Sequence, residues 1–148
     1  VVVLHNIRSL HNVGSIFRSC DAFAIEKLYL TGFTGAPPRK EIAKVSLGSE
    51  HRVLWESVSD IESLLKELKH KDVSLVALDN RQGSISIEAF SSEKSIALIL
   101  GNEVDGIEQS VLEMCDQQIE IPMPGKKQSL NVSVATGIAL FALRQKKQ

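Results

Sequence analysis

Residues 121–143 read "IPMPGKKQSLNVSVATGIALFAL". A β-branched end runs into Pro122, Pro124 and Gly125. Two lysines follow, then Ser129-Leu130-Asn131 and a long apolar pattern at helical spacing. A loop this polar set directly against a helix this apolar has three readings: a phosphate loop, a plain helix start, or a cofactor loop tucked against the core. The phosphate loop requires Gly-x4-Gly-Lys-Ser/Thr. Here position 120 is Glu120, and Lys126 is followed by Lys127, so only the Gly-Lys pair matches. The plain start needs a side-chain oxygen on the first free N–H groups of the helix, and either Ser129 or Asn131 supplies one. Deciding between this and a cofactor loop requires the rest of the chain.

Upstream, short β-branched runs alternate with helical patterns. Strands are expected at Val1–His5, Lys27–Thr31, His51–Trp55, Val73–Asp79, Ile96–Leu100 and Gln118–Ile121. Helices are expected over His11–Ala24, Lys40–Leu47, Asp60–Lys69, Glu108–Cys115 and Val132–Gln145. Val13, Ile16, Phe17, Cys20 and Phe23 form one apolar face, and Ile61, Leu64, Leu65 and Leu68 another. Such alternation predicts an α/β fold, a mostly parallel sheet flanked by helices. The most apolar strand, Ile96–Leu100, belongs at its centre. Ligands of such sheets sit beyond the carboxyl ends of the strands. The segments that follow those ends are "NIRSLHNVGSIFR", "NRQG", "GNEVDG" and "PMPGKKQSLN", and they hold the polar and glycine-rich residues.

The length, 148 residues, suits one domain with a real core, and 43% apolar with 24% charged residues is ordinary for a globular protein. No apolar run reaches the ~18 residues of a membrane span. Val1–Leu4 is too short for a signal-peptide core. Cys20 and Cys115 lack CxxC spacing and read as small buried hydrophobes in a reducing, cytoplasmic compartment. His5, His11, His51 and His70 show no metal-ligand spacing, so no metal is expected. No G-x-G-x-x-G follows a strand, which argues against dinucleotide binding.

The net charge of −1 conceals an asymmetry. Residues 1–52 carry seven Lys/Arg against four Asp/Glu, residues 53–120 five against fourteen, and residues 121–148 five against none. Two basic ends flank an acidic middle, and if the ends meet they form a positive surface. Within the first segment, Asn6, Arg8 and Asn12 bracket a strand-to-helix turn, with Asn12 the candidate cap. Gly14, Arg18 and Asp21 share a helical face. A glycine in the first turn of a helix costs up to ~1 kcal/mol, which the close approach of a ligand or another backbone would explain. In "ALILGNEVDGI", Gly101 and Gly106 permit tight geometry at the strand exit, with Glu103 between them at the sheet edge.

Three separated segments together resemble the SpoU, or TrmH-like, branch of the SPOUT RNA 2'-O-ribose methyltransferases. They are Asn6-x-Arg8-x-x-His11-Asn12-x-Gly14-x-x-x-Arg18, Leu100-Gly101-Asn102-Glu103-x-x-Gly106, and Ile121-Pro122-Met123-x-Gly125 through Ser129-Leu130-Asn131-Val132-Ser133-Val134-Ala135. The stretch "TGAPPRKEIAKVSLGSE" looks like the family's linking loop and helix. Ala24 departs from a frequent glycine, and little consequence is expected.

The resemblance implies a single SpoU-type domain over 1–148, with a C-terminal deep trefoil knot (the SPOUT, or alpha/beta knot, fold). It also implies a homodimer with active sites at the interface, and S-adenosyl-L-methionine as methyl donor to a ribose 2'-hydroxyl of tRNA or rRNA. Carried onto this chain, the catalytic group is Arg18, Asn12, Glu103, Ser129 and Asn131. Asn12 would hold the arginine or the ribose, and Glu103 would orient the arginine or its loop. The cofactor would lie against Leu78, Leu100, Gly101, Asn102, Glu103, Gly106, Ile121, Met123, Ser129 and Leu130. Arg8, His11, Arg39, Lys126 and Lys127, with Lys40 and Arg52, are the candidate RNA contacts. A guanidinium with a pKa above ~12 is a reluctant base, so Arg18 is expected to orient the hydroxyl or a phosphate. The alternative is a dimeric RNA-binding module of the same fold without turnover.

Overall fold

The computed structural model describes residues 1–145. Seven strands form one parallel sheet: β1 (Val2–His5), β2 (Leu28–Thr31), β3 (Trp55–Val58), β4 (Ser74–Leu78), β5 (Ile85–Ser86), β6 (Ile96–Leu100) and β7 (Gln117–Glu120). Their order is β3-β2-β1-β6-β4-β7-β5, every pairing is parallel, and β6 lies at the centre. Six helices connect them: α1 (Leu10–Ala22), α2 (Lys40–Ser46), α3 (Ser49–Arg52), α4 (Ile61–His70), α5 (Gln109–Met114) and α6 (Val132–Gln145). No helix among the described residues is long and apolar enough to cross a membrane.

The central strands are apolar throughout because both faces are covered. Val2, Leu4, Val76, Leu98 and Leu100 point to a core shared with α1 and α6, whereas Val3, Leu75, Ala77, Ala97 and Ile99 meet α4 and α5. Alternation along each strand therefore divides the interior into two layers. Asp60 caps α4 by accepting the Glu62 N–H (3.1 Å), and Leu64, Leu65 and Leu68 bury its inner face. Helix α1 is capped by Ser9, whose hydroxyl accepts the Asn12 N–H at 3.1 Å. The expected cap, Asn12, instead lies inside the first turn with its side chain turned to another task.

Gly14 is explained by a backbone rather than a ligand. A Cβ there would lie 2.6 Å from the carbonyl oxygen of Ile42 in α2, so its hydrogen lets two helices touch. Its face-mate Asp21 binds Arg52, at 2.8 Å to Nε and 2.6 Å to Nη2.

The strand expected over His51–Trp55 is not there. Residues 49–52 form α3, and pairing begins only at Trp55, opposite Leu28. The two-residue β5 escaped the sequence reading because so short a strand has no period to detect. Cys20 is buried as expected, and burial raises its thiol pKa to about 12. Cys115 is only half-buried.

Candidate active site

The carboxyl ends of β6, β4 and β7 lie side by side, and the loops that leave them enclose a cavity of about 300 Å³. A cavity of this size suits a small molecule. Its walls are the apolar side chains of Leu78, Leu100, Ile121, Met123 and Leu130, with polar groups from the three loops. All ten residues assigned above to the cofactor line it. Asp79, Asn80, Gln128 and Ala135 line it too, and the sequence reading passed over them. For Asp79 and Asn80 the signal lies in "DNRQG", a polar turn directly after an apolar strand, and Gln128 and Ala135 belong to the third motif's loop and helix.

The loop of residues 101–107 is held from within. Asn102 and Gly106 exchange backbone hydrogen bonds of 3.1 and 2.9 Å, and Asn102 Oδ1 accepts the N–H groups of Val104 and Asp105. A Cβ on Gly101 would lie 2.6 Å from the carbonyl carbon and oxygen of Gly106. Gly106 itself sits at φ +71°, in the left-handed region that glycine adopts freely. Both glycines are thus required by geometry. The loop is also tied to the first motif, because Asn102 Nδ2 donates to the Asn6 carbonyl at 2.8 Å.

Glu103 is not at a sheet edge, since it follows the central strand. Its carboxylate accepts the N–H groups of Arg8 (2.9 Å) and Ser9 (3.0 Å) and the side-chain amide of Asn12 (3.1 Å). Partial burial pushes its pKa up, but these donors, the amides of Arg8 and Ser9 foremost, hold it below the ordinary glutamate value of 4.5. The carboxylate thus grips the loop and does not contact Arg18.

Asn12 is 7% exposed, and both ends of its amide are engaged. Nδ2 donates to Glu103, and Oδ1 accepts from Asn131 Nδ2 at 3.1 Å. Within the subunit Asn12 therefore bridges two motifs and makes no hydrogen bond to Arg18. Asn131 in turn caps α6, its Oδ1 accepting the Ser133 N–H at 2.8 Å. The plain helix start and the cavity loop are therefore the same residues. Ser129 lines the cavity and is exposed.

Arg18 is exposed and does not line the cavity. Six residues beyond Asn12, it lies about 9 Å further along the helix axis. Within one subunit the structure joins Asn12, Glu103 and Asn131, places Ser129 beside them, and leaves Arg18 apart.

Arg8, His11, Arg39, Lys40, Lys126 and Lys127 are all exposed. Arg8, Arg39, Lys126 and Lys127 belong to segments that follow the carboxyl ends of β1, β2 and β7, at the cavity's end of the sheet. Arg52 pairs with Asp21 at 2.6 Å. Lys146 and Lys147, counted in the basic C-terminal segment, lie outside the described residues. No group of three or more His, Cys, Asp or Glu among the described residues could hold a metal ion.

Comparison with known proteins agrees with this geometry. The SpoU rRNA methylase family matches residues 1–141. The 23S rRNA (guanosine-2'-O-)-methyltransferase RlmB of Xanthomonas axonopodis pv. citri is 33% identical over 147 residues, 99% of this chain and 59% of the relative. The tRNA (guanosine(18)-2'-O)-methyltransferase of Aquifex aeolicus is 33% identical over 100% of this chain and 70% of its own length. Among solved structures, the A. aeolicus TrmH/SpoU tRNA modifying enzyme superposes with a TM-score of 0.90 at 33% identity, covering 99% of this chain and 74% of that one. The AviRb methyltransferase of Streptomyces viridochromogenes, solved with AdoMet, gives 0.90 at 26% identity, covering 99% and 57%. The chain spans 59% of the length of the RlmB relative.

Proposed function

Because the chain belongs to the SpoU rRNA methylase family, we propose that it forms one RNA ribose 2'-O-methyltransferase domain using S-adenosyl-L-methionine on tRNA or rRNA. The observation that carries this reading is the hydrogen-bonded series Asn131–Asn12–Glu103, which ties the cavity wall to the loop bearing Arg8 and to the N-terminus of α1. It bridges 119 residues at one step and 91 at the next. A donor molecule and an RNA strand must meet at one point, and this series sets their two binding loops in a fixed relation.

The residues fit the cofactor. The apolar walls suit an adenine and a thioether chain, and the loops bring backbone polar groups to the same space. The bound cofactor supplies an electrophilic methyl group. The chain's own residues do the rest. Leu78, Leu100, Ile121 and Leu130 exclude water, Ser129 offers a hydroxyl at the cavity, and the exposed cations near the loops contact phosphates.

Arg18 acts from a second copy in this proposal. It is exposed on α1, the helix that packs against α6. That helix exposes Val134 (50%), Ile138 (40%) and Phe141 (53%), an apolar stripe at i, i+4 and i+7 that a homodimer would cover. In the dimer, the guanidinium would orient the substrate hydroxyl or stabilise the charge that develops on it. The trefoil knot belongs to the same proposal. Supporting it, the chain leaves β7, a strand on the far side of β4 from β1, and returns to pack α6 on α1. RNA substrates and two free thiols favour a cytoplasmic setting.

The test is transfer of a labelled methyl group from the cofactor to bulk tRNA and rRNA, followed by mapping of the modified riboses. Label at ribose 2'-hydroxyls supports the proposal. RNA and cofactor binding without transfer would show a binding module instead.

A further inference from the structure

The turn after β4, Asp79-Asn80-Arg81, touches both loops that wall the cavity. Arg81 Nη2 donates to the Ile107 carbonyl at 2.8 Å, and its Nε lies 3.2 Å from Asp79 Oδ2. The Asp79 side chain is only 14% exposed, and it faces the cavity. A Cβ on Gly106 would lie 3.4 Å from Asp79 Oδ2 and 3.7 Å from Arg81 Nη2, so the turn packs directly on the 101–107 loop. On the other side, Asn80 Nδ2 donates to the Gln128 carbonyl at 2.9 Å. Gln128 also closes its own loop by donating from Nε2 to the Gly125 carbonyl at 3.2 Å. The turn is itself fixed, because the Ser84 hydroxyl donates to the Asp79 carbonyl (2.9 Å) and Asp79 N–H to the Ile119 carbonyl (3.0 Å).

We propose that Asn80 and Arg81 are positioning residues for the cofactor, each holding one of the two cavity loops against a turn anchored to the sheet. The inference rests on the assignment of this cavity to the cofactor. The Asn12 bridge joins the two loops at the side facing the first motif, and the 79–81 turn joins them on the β4 side. A loop of prolines, glycine and lysines has little packing of its own to fix its shape. Exposed and irregular between Pro122 and Leu130, it depends on such outside attachments. Ordering these loops at binding would otherwise weaken affinity.

Arg81→Ala, Arg81→Lys, Asn80→Ala and the isosteric Asn80→Asp separate this role from general support. Each is titrated with S-adenosylhomocysteine by calorimetry, and cofactor and RNA kinetics are measured alongside thermal unfolding without ligand. Asn80→Asp keeps the shape and replaces the donor by an acceptor facing the Gln128 carbonyl. The expected result is cofactor affinity about five- to tenfold weaker in both alanine variants and in Asn80→Asp, with partial recovery in Arg81→Lys, which retains one donor. The KM for cofactor rises while kcat at saturation and the KM for RNA stay within about twofold. Wild-type binding matched by all four variants overturns the inference, as does a loss confined to kcat. If the alanine variants do not fold, Asn80→Asp decides. No binding by the wild-type protein removes the cofactor assignment and this inference with it, a result distinct from unchanged binding in the variants.

Discussion

Ala24 ends the first helical segment at φ +51°, in the left-handed region where a Cβ is crowded by the neighbouring carbonyl. The expectation that alanine here is of little consequence does not hold at this backbone angle. Glycine at the same site removes the crowding and returns part of the gain through a more flexible unfolded chain. Ala24→Gly is expected to stabilise the protein by about 0.5–1 kcal/mol, read as a rise in melting temperature of a few degrees. Glu103 makes the opposite case, a side chain whose charge the fold uses. Its folded pKa lies below 4.5, so its contribution is complete above that value and is lost as pH falls through the lower folded one. Glu103→Gln, which faces the Arg8 and Ser9 N–H groups with one fewer acceptor, should lose about 1–2 kcal/mol at neutral pH. The gap between variant and wild type should close in acid denaturation below about pH 4.5. A constant gap across that range would show that the carboxylate charge is irrelevant.

At the scale of elements, the close contacts are made by backbones. Gly14 lets α1 touch α2, and Gly101 lets the two ends of its loop touch each other. Gly101→Ala places a methyl group 2.6 Å from backbone atoms that cannot rotate away. The loop must open, and cofactor binding should fall by tenfold or more while the sheet, built from other contacts, still folds; titration together with circular dichroism reads both. Much of the element pattern was legible from periodicity. Ile96–Leu100 agrees to the residue and the last helix agrees from its first residue, Val132, because one is a continuous apolar run bounded by polar residues and the other a long helical period. His51–Trp55 misled because Val53, Leu54 and Trp55 read as strand, whereas α3 is settled by packing of Ser49 and Arg52 on Asp21. The order of the strands was not legible, since parallel pairing joins segments distant in the chain.

At the scale of the molecule, Arg18 and the cavity belong together only if a second copy intervenes. Ile138→Asp puts a charge in the middle of the exposed α6 stripe. It should convert the proposed dimer to monomer by sedimentation and abolish transfer, while cofactor binding, if confined to one subunit, survives in weakened form. Arg18→Ala should leave the proposed dimer intact, keep the cofactor affinity within about twofold and lower transfer by at least about a hundredfold. Mixing the two variants with excess wild type distinguishes loss of the partner from loss of the guanidinium.

The sequence by itself determined the fold class and the apolar faces of the helices that cover the sheet, both written in local periodicity, while the cavity residues it offered came from the resemblance of three motifs to a known family. Only the tertiary structure decided which groups meet. It showed Asn12 bridging two motifs, Glu103 clamping the backbone N–H groups of the Arg8 loop, the second of its two expected roles, and Arg52 paired with Asp21. Hydrogen bonds need donor and acceptor within about 3 Å, and between residues 91 or 119 positions apart that closeness is a property of the packed layers, not of either segment alone.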